Sequence, residues 1–447
     1  MICELNMEES LNKKLKNRTA NIAVVGLGYV GLPMALAFSE RGFRTFGIDV
    51  DSDKLSMLYA GESYVGDIDG RRISDALSRT EASPLELFGD FSCIQDCDAV
   101  IVCVPTPLSK SSEPDMGHVI SAFESFSPYL HPDMVVSLES TTYPGATEEI
   151  LLPLIENNVP SDLIIGDDVY LIFSPERIDP GRDDWTLTNT PKVVGGVTSQ
   201  CLEVGKALYG SIVDKIIPVS STTAAETVKL LENTFRMVNI ALANEMALIC
   251  DRLGLDVWEV IQSASTKPFG FMPFYPGPGI GGHCIPVDPQ YLAWKSKKLN
   301  YDAKLIHASE TINSAMPHFV VEKTKKALRE KGVKMKDARL LILGVAYKAD
   351  VGDVRESPAI EIMEEFLLIA KDVQYNDPFV EILELNGVAF QSTALEKVFL
   401  NTRDVVVILT DHSDYDYRPI MESSKLIVDT RNAIKPFLGT QCMVVKL

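Results

Sequence analysis

One cysteine of this chain lies in a loop dense in glycine: Pro276-Gly277-Pro278-Gly279-Ile280-Gly281-Gly282-His283-Cys284-Ile285-Pro286-Val287-Asp288. Glycines let a backbone approach a ligand and adopt φ > 0. A thiol held there can meet a substrate carbon. The competing reading is a Gly/Pro turn around a core cysteine, since free cysteine is often buried. Asp288, four residues on, can hold a lysine or orient a water. His283 adjoins Cys284, but neighbours in sequence rarely face the same way, so no Cys-His dyad is expected.

A second constellation changes the weight of the first. The apolar run Asn21 to Val25 is followed directly by Gly26-Leu27-Gly28-Tyr29-Val30-Gly31, then by a helical segment, Leu32 to Arg41. Arg44 to Asp49 reads as a second strand ending in an acid. Strand, GxGxxG, helix, strand and acid together form a dinucleotide-binding unit. The glycines permit a tight turn and close approach of a pyrophosphate, and the helix start offers amide N–H groups to it. Asp49 can accept hydrogen bonds from the ribose hydroxyls and repels a 2′-phosphate, which favours NAD over NADP. A cysteine beside a nicotinamide points to aldehyde oxidation through a thioester.

Further strands end in polar residues at their carboxyl edge, where open α/β sheets bind ligands. Ala99 to Val104 ends at Pro105-Thr106, Met134 to Glu139 at Ser140-Thr141, and Tyr170 to Phe173 at Ser174-Pro175-Glu176. Pro105, Thr106 and Thr141 are therefore read with Gly26, Gly28, Tyr29, Val30, Gly31 and Asp49 as cofactor-binding. Thr141 can also orient a water or a substrate hydroxyl. Glu176 can act as a general base; the plainer reading of both is a turn cap. Lys229 and Asn233 are four apart on a long helical stretch, Ser221 to Leu253, and share a face. Together they can polarise an oxyanion, and Lys229 near Cys284 would favour its thiolate. Arg236 falls near the same face. The alternative is a solvated amphipathic face.

A second α/β pattern starts near residue 338, with Arg339 to Gly344 as its first strand. Ser357-Pro358 opens a helix as cap and first helical proline. Asp372 to Tyr375, Asp404 to Leu409 and Leu426 to Val428 read as further strands. Between them Tyr347 to Pro358 carries Lys348 and Arg355, candidate contacts for a diphosphate or, alternatively, a charged surface loop. The expected fold is α/β, with two Rossmann-like doubly wound domains joined by a central helical region containing one long helix. The boundaries are a tail or loose helix over 1–20, an NAD-binding domain over 21–215, a central helical domain with the cysteine loop over 216–325, and a second Rossmann-like domain over 326–447.

A net charge of −20 argues against nucleic acid or an anionic membrane as partner. The eight cysteines are scattered without a CxxC pair, which speaks for a reduced, cytoplasmic protein and against a metal site. The N-terminus lacks the apolar region of a signal peptide. No run of about 18 apolar residues exists to cross a membrane.

With these residues in hand, the chain resembles the UDP-glucose/GDP-mannose dehydrogenase family. The resemblance runs from about Asn21 onward. It is carried by GLGYVGLP, LESTTYPG, SPERIDPG, KLLENTFRMVNIALANE, PGPGIGGHCIPVDP and AYKADVGDVRESP. It implies oxidation of a sugar C6 alcohol to a carboxylate with two NAD per sugar, in a homodimer or larger homo-oligomer. It implies Cys284 as nucleophile, with Lys229 and Asn233 on the oxyanion. Asp288 and Thr141 would position water and Lys229, and Glu176 would be the base for thioester hydrolysis. Arg236, Lys348, Arg355 and Gly281 would contact the substrate, Arg355 from the partner subunit. Two positions depart from the UDP-glucose branch: Glu139, where that branch has lysine, and Pro180, where it tends to have a second glutamate. The pattern is closer to the N-acetylhexosamine branch. It implies UDP-N-acetylglucosamine as first choice, then UDP-N-acetylmannosamine, with UDP-N-acetylgalactosamine or UDP-glucose further off. A two-electron β-hydroxyacid dehydrogenase and a silent nucleotide-sugar-binding protein are the remaining rivals.

Overall fold

The computed structural model describes residues 10–447 except 67, 80–83, 110–112, 159–162, 179–183 and 435–441. Pro180 lies outside the described residues. The chain divides into two compact units: residues 1–232 with 290–300, and residues 233–289 with 301–447.

The first unit is built on an eight-stranded sheet of order β3-β2-β1-β4-β5-β6-β7-β8. Its strands are β1 (Asn21–Val25), β2 (Arg44–Ile48), β3 (Leu85–Phe88), β4 (Ala99–Val102), β5 (Met134–Leu138), β6 (Val169–Phe173), β7 (Lys192–Gly196) and β8 (Ile216–Pro218). Continuous apolar runs such as Ala99-Val100-Ile101-Val102 suit a sheet covered on both faces, and β4 is buried throughout. The chain order reverses beside β1, between β2 and β4, which places a ligand crevice at the carboxyl ends of β1 and β4. All neighbours pair in parallel except β6 and β7. That reversal brings the first residue of β7, rather than its last, to the edge where β1 to β6 end.

The segment expected as a tail or loose helix contains a packed helix, Leu11–Asn17. Leu11 and Leu15, one turn apart, are buried in the first unit's core. Lys14 Nζ pairs with Asp98 Oδ1 at 2.7 Å. Two apolar residues at helical spacing and one ion pair are enough to dock a seven-residue helix that would not persist alone.

The second unit contains a parallel sheet of order β10-β9-β13-β14-β15 and a hairpin, β11–β12. These are β9 (Arg339–Leu343), β10 (Asp372–Asn376), β11 (Ile382–Leu385), β12 (Val388–Gln391), β13 (Val405–Ile408), β14 (Leu426–Asp429) and β15 (Met443–Lys446). Alternate residues serve opposite faces. Leu340, Ile342, Val405 and Val407 join one cluster, and Leu341, Leu343, Val406 and Ile408 the other. The central helical residues make no third compact unit. Ala243, Ala247, Trp258, Met316 and Val320 share the first of these clusters with the sheet.

The long helix, Thr222–Leu253, supplies residues to both units. Gly254 ends it at φ +69°, a conformation only glycine adopts cheaply. Ser357 caps the helix Pro358–Ile369 by accepting from Ala359 N. Among the described residues no helix is long and apolar enough to cross a membrane.

Candidate active site

In the first unit, the nucleotide junction follows from three glycines with three different jobs. Gly26 turns the chain at φ +88°. Gly31 packs against it so closely that a Cβ would lie 1.8 Å from the Gly26 carbonyl oxygen. At Gly28 a Cβ would meet nothing within 4 Å, which leaves open the face from which a pyrophosphate approaches. The helix Gly31–Glu40 begins at this turn. Asp49, past β2, is buried. Its Oδ2 accepts from Leu27 N at 2.9 Å and pairs with Lys54 Nζ at 3.3 Å, a cation that pattern reasoning passed over. Glycine cradle, helix start and strand-end acid fit a dinucleotide. Tyr29 is exposed beside them.

Thr106 is tied from outside the motif: Tyr291 Oη donates to its carbonyl at 2.7 Å. Its neighbour Pro105 precedes it on the loop after β4. Beyond β5, the loop carrying Thr141 is pinned by Glu226 of the long helix. This buried carboxylate accepts from Gly145 N at 2.5 Å, Thr147 N at 2.9 Å and Thr147 Oγ1 at 2.6 Å. Burial raises its pKa, while those hydrogen bonds oppose the shift. One turn along the helix, Lys229 Nζ donates to Thr141 Oγ1 at 2.5 Å. Both side chains are thereby fixed at the sheet's carboxyl edge.

Glu176 is held asymmetrically. Its Oε1 accepts from Arg177 N at 2.6 Å and Ile178 N at 2.7 Å. Its Oε2 is buried, accepts no hydrogen bond, and has Lys192 Nζ at 3.7 Å. Such a carboxylate has one oxygen committed to the backbone and one available for a proton. The Arg177 guanidinium is occupied by Glu232 and the Pro191 carbonyl.

Cys284, of the second unit, is the one exposed cysteine among the seven described; Cys442 is half-buried, and Cys93, Cys97, Cys103, Cys201 and Cys250 are buried. The core-cysteine reading of Cys284 therefore falls. Its carbonyl accepts from Asp288 N at 2.9 Å, so the thiol sits in the turn that leads into the helix Asp288–Lys298. Asp288 is buried, and its Oδ2 accepts from Asn233 Nδ2 at 2.6 Å. Asp288 thus holds the side chain of Asn233. Arg236 is exposed one turn from Asn233's position on the helix.

The cysteine loop is anchored at its start by Asn244, whose Oδ1 accepts from Gly277 N at 2.9 Å. Gly281 is required by packing. A Cβ there would lie 2.7 Å from Tyr347 Cβ and 2.8 Å from the Glu356 carbonyl oxygen. The 347–358 segment thus lies directly on the glycine loop. It carries Lys348, half-buried, and Arg355, exposed, whose guanidinium engages both oxygens of Asp353 at 2.9 and 2.7 Å. Burial opposes the charge of Asp353, but those bonds hold its pKa below the usual carboxylate value. His283 faces this pair, with Nε2 4.0 Å from Asp353. Its pKa is lowered by burial and then by Arg355, so it is neutral near pH 7. A cavity of about 480 Å³ borders the loop, but Glu310, Glu356, Glu361 and Glu364 line it, the wrong charge for a diphosphate.

Glu139, Lys192, Glu226, Tyr291, Asn244 and Asp353 all escaped sequence reasoning. Glu139 alone left a trace, as an acid where a related branch carries lysine.

The UDP-glucose/GDP-mannose dehydrogenase family matches the chain in three successive domains: its NAD binding domain over residues 20–213, its central domain over 223–315 and its UDP binding domain over 341–436. The UDP-N-acetyl-D-mannosamine dehydrogenase of Pyrococcus horikoshii is 36% identical over 421 residues, 93% of this chain and 96% of that one. A UDP-N-acetyl-D-glucosamine 6-dehydrogenase of Pseudomonas aeruginosa is 37% identical over 361 residues, 80% and 83% of the two chains. The solved structure of the P. horikoshii UDP-D-ManNAc dehydrogenase superposes with a TM-score of 0.85 at 34% identity, covering 95% of this chain and 99% of that one.

Proposed function

The chain belongs to the UDP-glucose/GDP-mannose dehydrogenase family, and from that premise we propose that it oxidises the C6 alcohol of a UDP-N-acetylhexosamine to the carboxylate. It is an NAD-dependent nucleotide-sugar dehydrogenase. The carrying observation is the exposed thiol of Cys284 in a chain that also has the dinucleotide junction. UDP-N-acetylglucosamine is the first choice of sugar. UDP-N-acetylmannosamine follows closely, since relatives named for each sugar are about equally similar.

NAD, when bound, would supply the hydride acceptor, one molecule of NAD being consumed at each of the two oxidations. The chain's residues do the rest. Glu176 Oε2, or water hydrogen-bonded to it, accepts the proton of the C6 hydroxyl as the aldehyde forms. Cys284 Sγ then bonds to the aldehyde carbon. Lys229, held by Thr141, and Asn233, held by Asp288, stabilise the oxyanion that this addition creates. Loss of the second hydride leaves a thioester. Once Glu176 has passed the alcohol's proton on to solvent, water adds to the thioester carbonyl, Glu176 takes the water's proton, and the C–S bond breaks to release Cys284 as thiolate. Lys348, Arg355, Arg236 and the Gly281 loop are assigned to the UDP-sugar. The separate UDP binding domain and the exposed cysteine favour this over a two-electron β-hydroxyacid dehydrogenase, which needs neither.

The test is stoichiometric. Purified protein is given each UDP-sugar with excess NAD, and NADH is counted per sugar consumed. Two NADH are expected, with UDP-N-acetylglucosamine turned over best. One NADH per sugar would overturn the thioester route, and a preference for the manno epimer would move the assignment to that sugar.

A homodimer is part of the same reading. Leu231, Phe235, Leu242, Ile249 and Leu253 are exposed on the long helix. Their spacings of four and seven residues draw one apolar seam. Sedimentation is expected to give about twice the chain mass of 49.3 kDa, and Leu242→Glu with Ile249→Glu to give the monomer. A wild-type monomer would contradict the seam's role. The reduced cysteines favour the cytosol as its compartment.

A further inference from the structure

We infer that Lys192 is the positioning residue of Glu176, and that Glu139 sets how much of the Lys192 charge Glu176 feels. This rests on the reading of Glu176 as the base.

The three side chains meet because β7 runs against β6. The observed pairs are Ile172 with Gly196 and Phe173 with Gly195. Continuing that register past the strand ends sets position 192 opposite position 176. A parallel β7 would have put its first residue at the far edge. Lys192 is buried, as is Glu139, which directly follows β5. Lys192 Nζ lies 2.8 Å from Glu139 Oε2 and 3.7 Å from Glu176 Oε2. The lysine is thus shared unequally: Glu139 takes a hydrogen bond, Glu176 a longer ion pair.

Unequal sharing suits a base. With no cation near it, a buried carboxylate would take up a proton and be unable to accept another. A full hydrogen-bonded salt bridge would stabilise its anion too well to let it work. Other groups around the pair do not substitute for Lys192. Arg177 is bonded to Glu232 and Lys229 to Thr141. Tyr209, whose ring lies 4.9 Å from Lys192 Nζ, is hydrogen-bonded to Ser137. Cys103 is buried, and burial raises its pKa, so it is a neutral thiol. For Lys192, burial opposes charge, but Glu139 and Glu176 outweigh it and raise its pKa, which keeps it cationic.

The experiment follows decay of the acyl-enzyme by rapid quench and intact-protein mass spectrometry across pH, with UDP-N-acetylglucosamine and NAD. In Lys192→Met, the acidic limb of the decay rate should move to higher pH. The acyl-enzyme should accumulate and decay about 10²-fold more slowly near pH 7. Lys192→Arg should recover most of that loss. Glu139→Gln should move the limb the opposite way, to lower pH, because the lysine charge is then undivided. A merely structural role would slow decay without moving the limb, and that result overturns the inference. If Lys192→Met does not fold, as judged by NAD binding, Glu139→Gln decides: an unmoved limb overturns it. Glu176→Gln separates the two claims. If it stalls as acyl-enzyme while the Lys192 and Glu139 variants decay as wild type, only the present inference fails. If it decays normally, the base assignment fails and takes this inference with it.

Discussion

Replacing Cys284 by serine is expected to stop carboxylate formation while leaving NAD binding intact. Thiolate is a strong nucleophile near neutral pH, whereas a serine hydroxyl without a dedicated base is not. The exchange is nearly isosteric, and the side chain is exposed, so no core packing is lost. The expected drop in steady-state NADH production is about 10³-fold or more, as for removal of a covalent nucleophile elsewhere. Mass spectrometry of the quenched enzyme should show the sugar adduct in wild type and none in the variant. NAD affinity, measured separately, should be unchanged, because the dinucleotide junction is built from Gly26, Gly28, Gly31 and Asp49 and takes no contact from this side chain's change of sulfur to oxygen. Full acid production by Cys284→Ser would remove the thioester from the mechanism.

Gly31→Ala is expected to cost more than any other small substitution at the nucleotide junction. The added methyl would lie 1.8 Å from the Gly26 carbonyl oxygen, and this neighbour is backbone, not a side chain that can swing away. Strand and helix must part, which costs roughly 3 kcal/mol or more. For a unit of this size that lowers the melting temperature by about 6–12 °C, and NAD binding goes with the junction. Gly28→Ala is the control. Its methyl would meet no atom of the protein, so stability should stay within about 0.5 kcal/mol. It would instead occupy the approach of the pyrophosphate, and NAD affinity should fall about tenfold or more. A Gly31→Ala protein that melts with wild type would show that helix and strand do not meet as described. Equal NAD affinity in Gly28→Ala would move the pyrophosphate elsewhere.

Features carried by adjacent residues were readable without coordinates. The βαβ unit with its three glycines and Asp49 is contiguous, and so are the strand ends at Thr141 and Glu176. Lys229 and Asn233 lie one helical turn apart. The cysteine loop announced itself by composition. Ser357-Pro358 was legible as a helix start because capping is chemistry between near neighbours.

Partners brought together from afar were not legible. Glu226 pins a loop about 80 residues earlier in the chain, and Tyr291 reaches back 185 residues to Thr106. The packing of the helix Leu11–Asn17 is not legible, since two leucines in a charged segment carry little periodic signal and point equally to a tail or a loose helix. Which side chain meets which inside the site was equally out of reach: Lys229 donates to Thr141, Asn233 to Asp288, and Arg355 to Asp353.

Local chemistry in this chain was written residue by residue: which groups can act as nucleophile, base or phosphate cradle, and at which strand or helix end each stands. Folding decided which charge stands opposite which. The buried Glu139–Lys192–Glu176 group exists because one strand, β7, runs antiparallel to its neighbour. Strand direction is set by the whole sheet and by the chain's route through it, and no short segment encodes it.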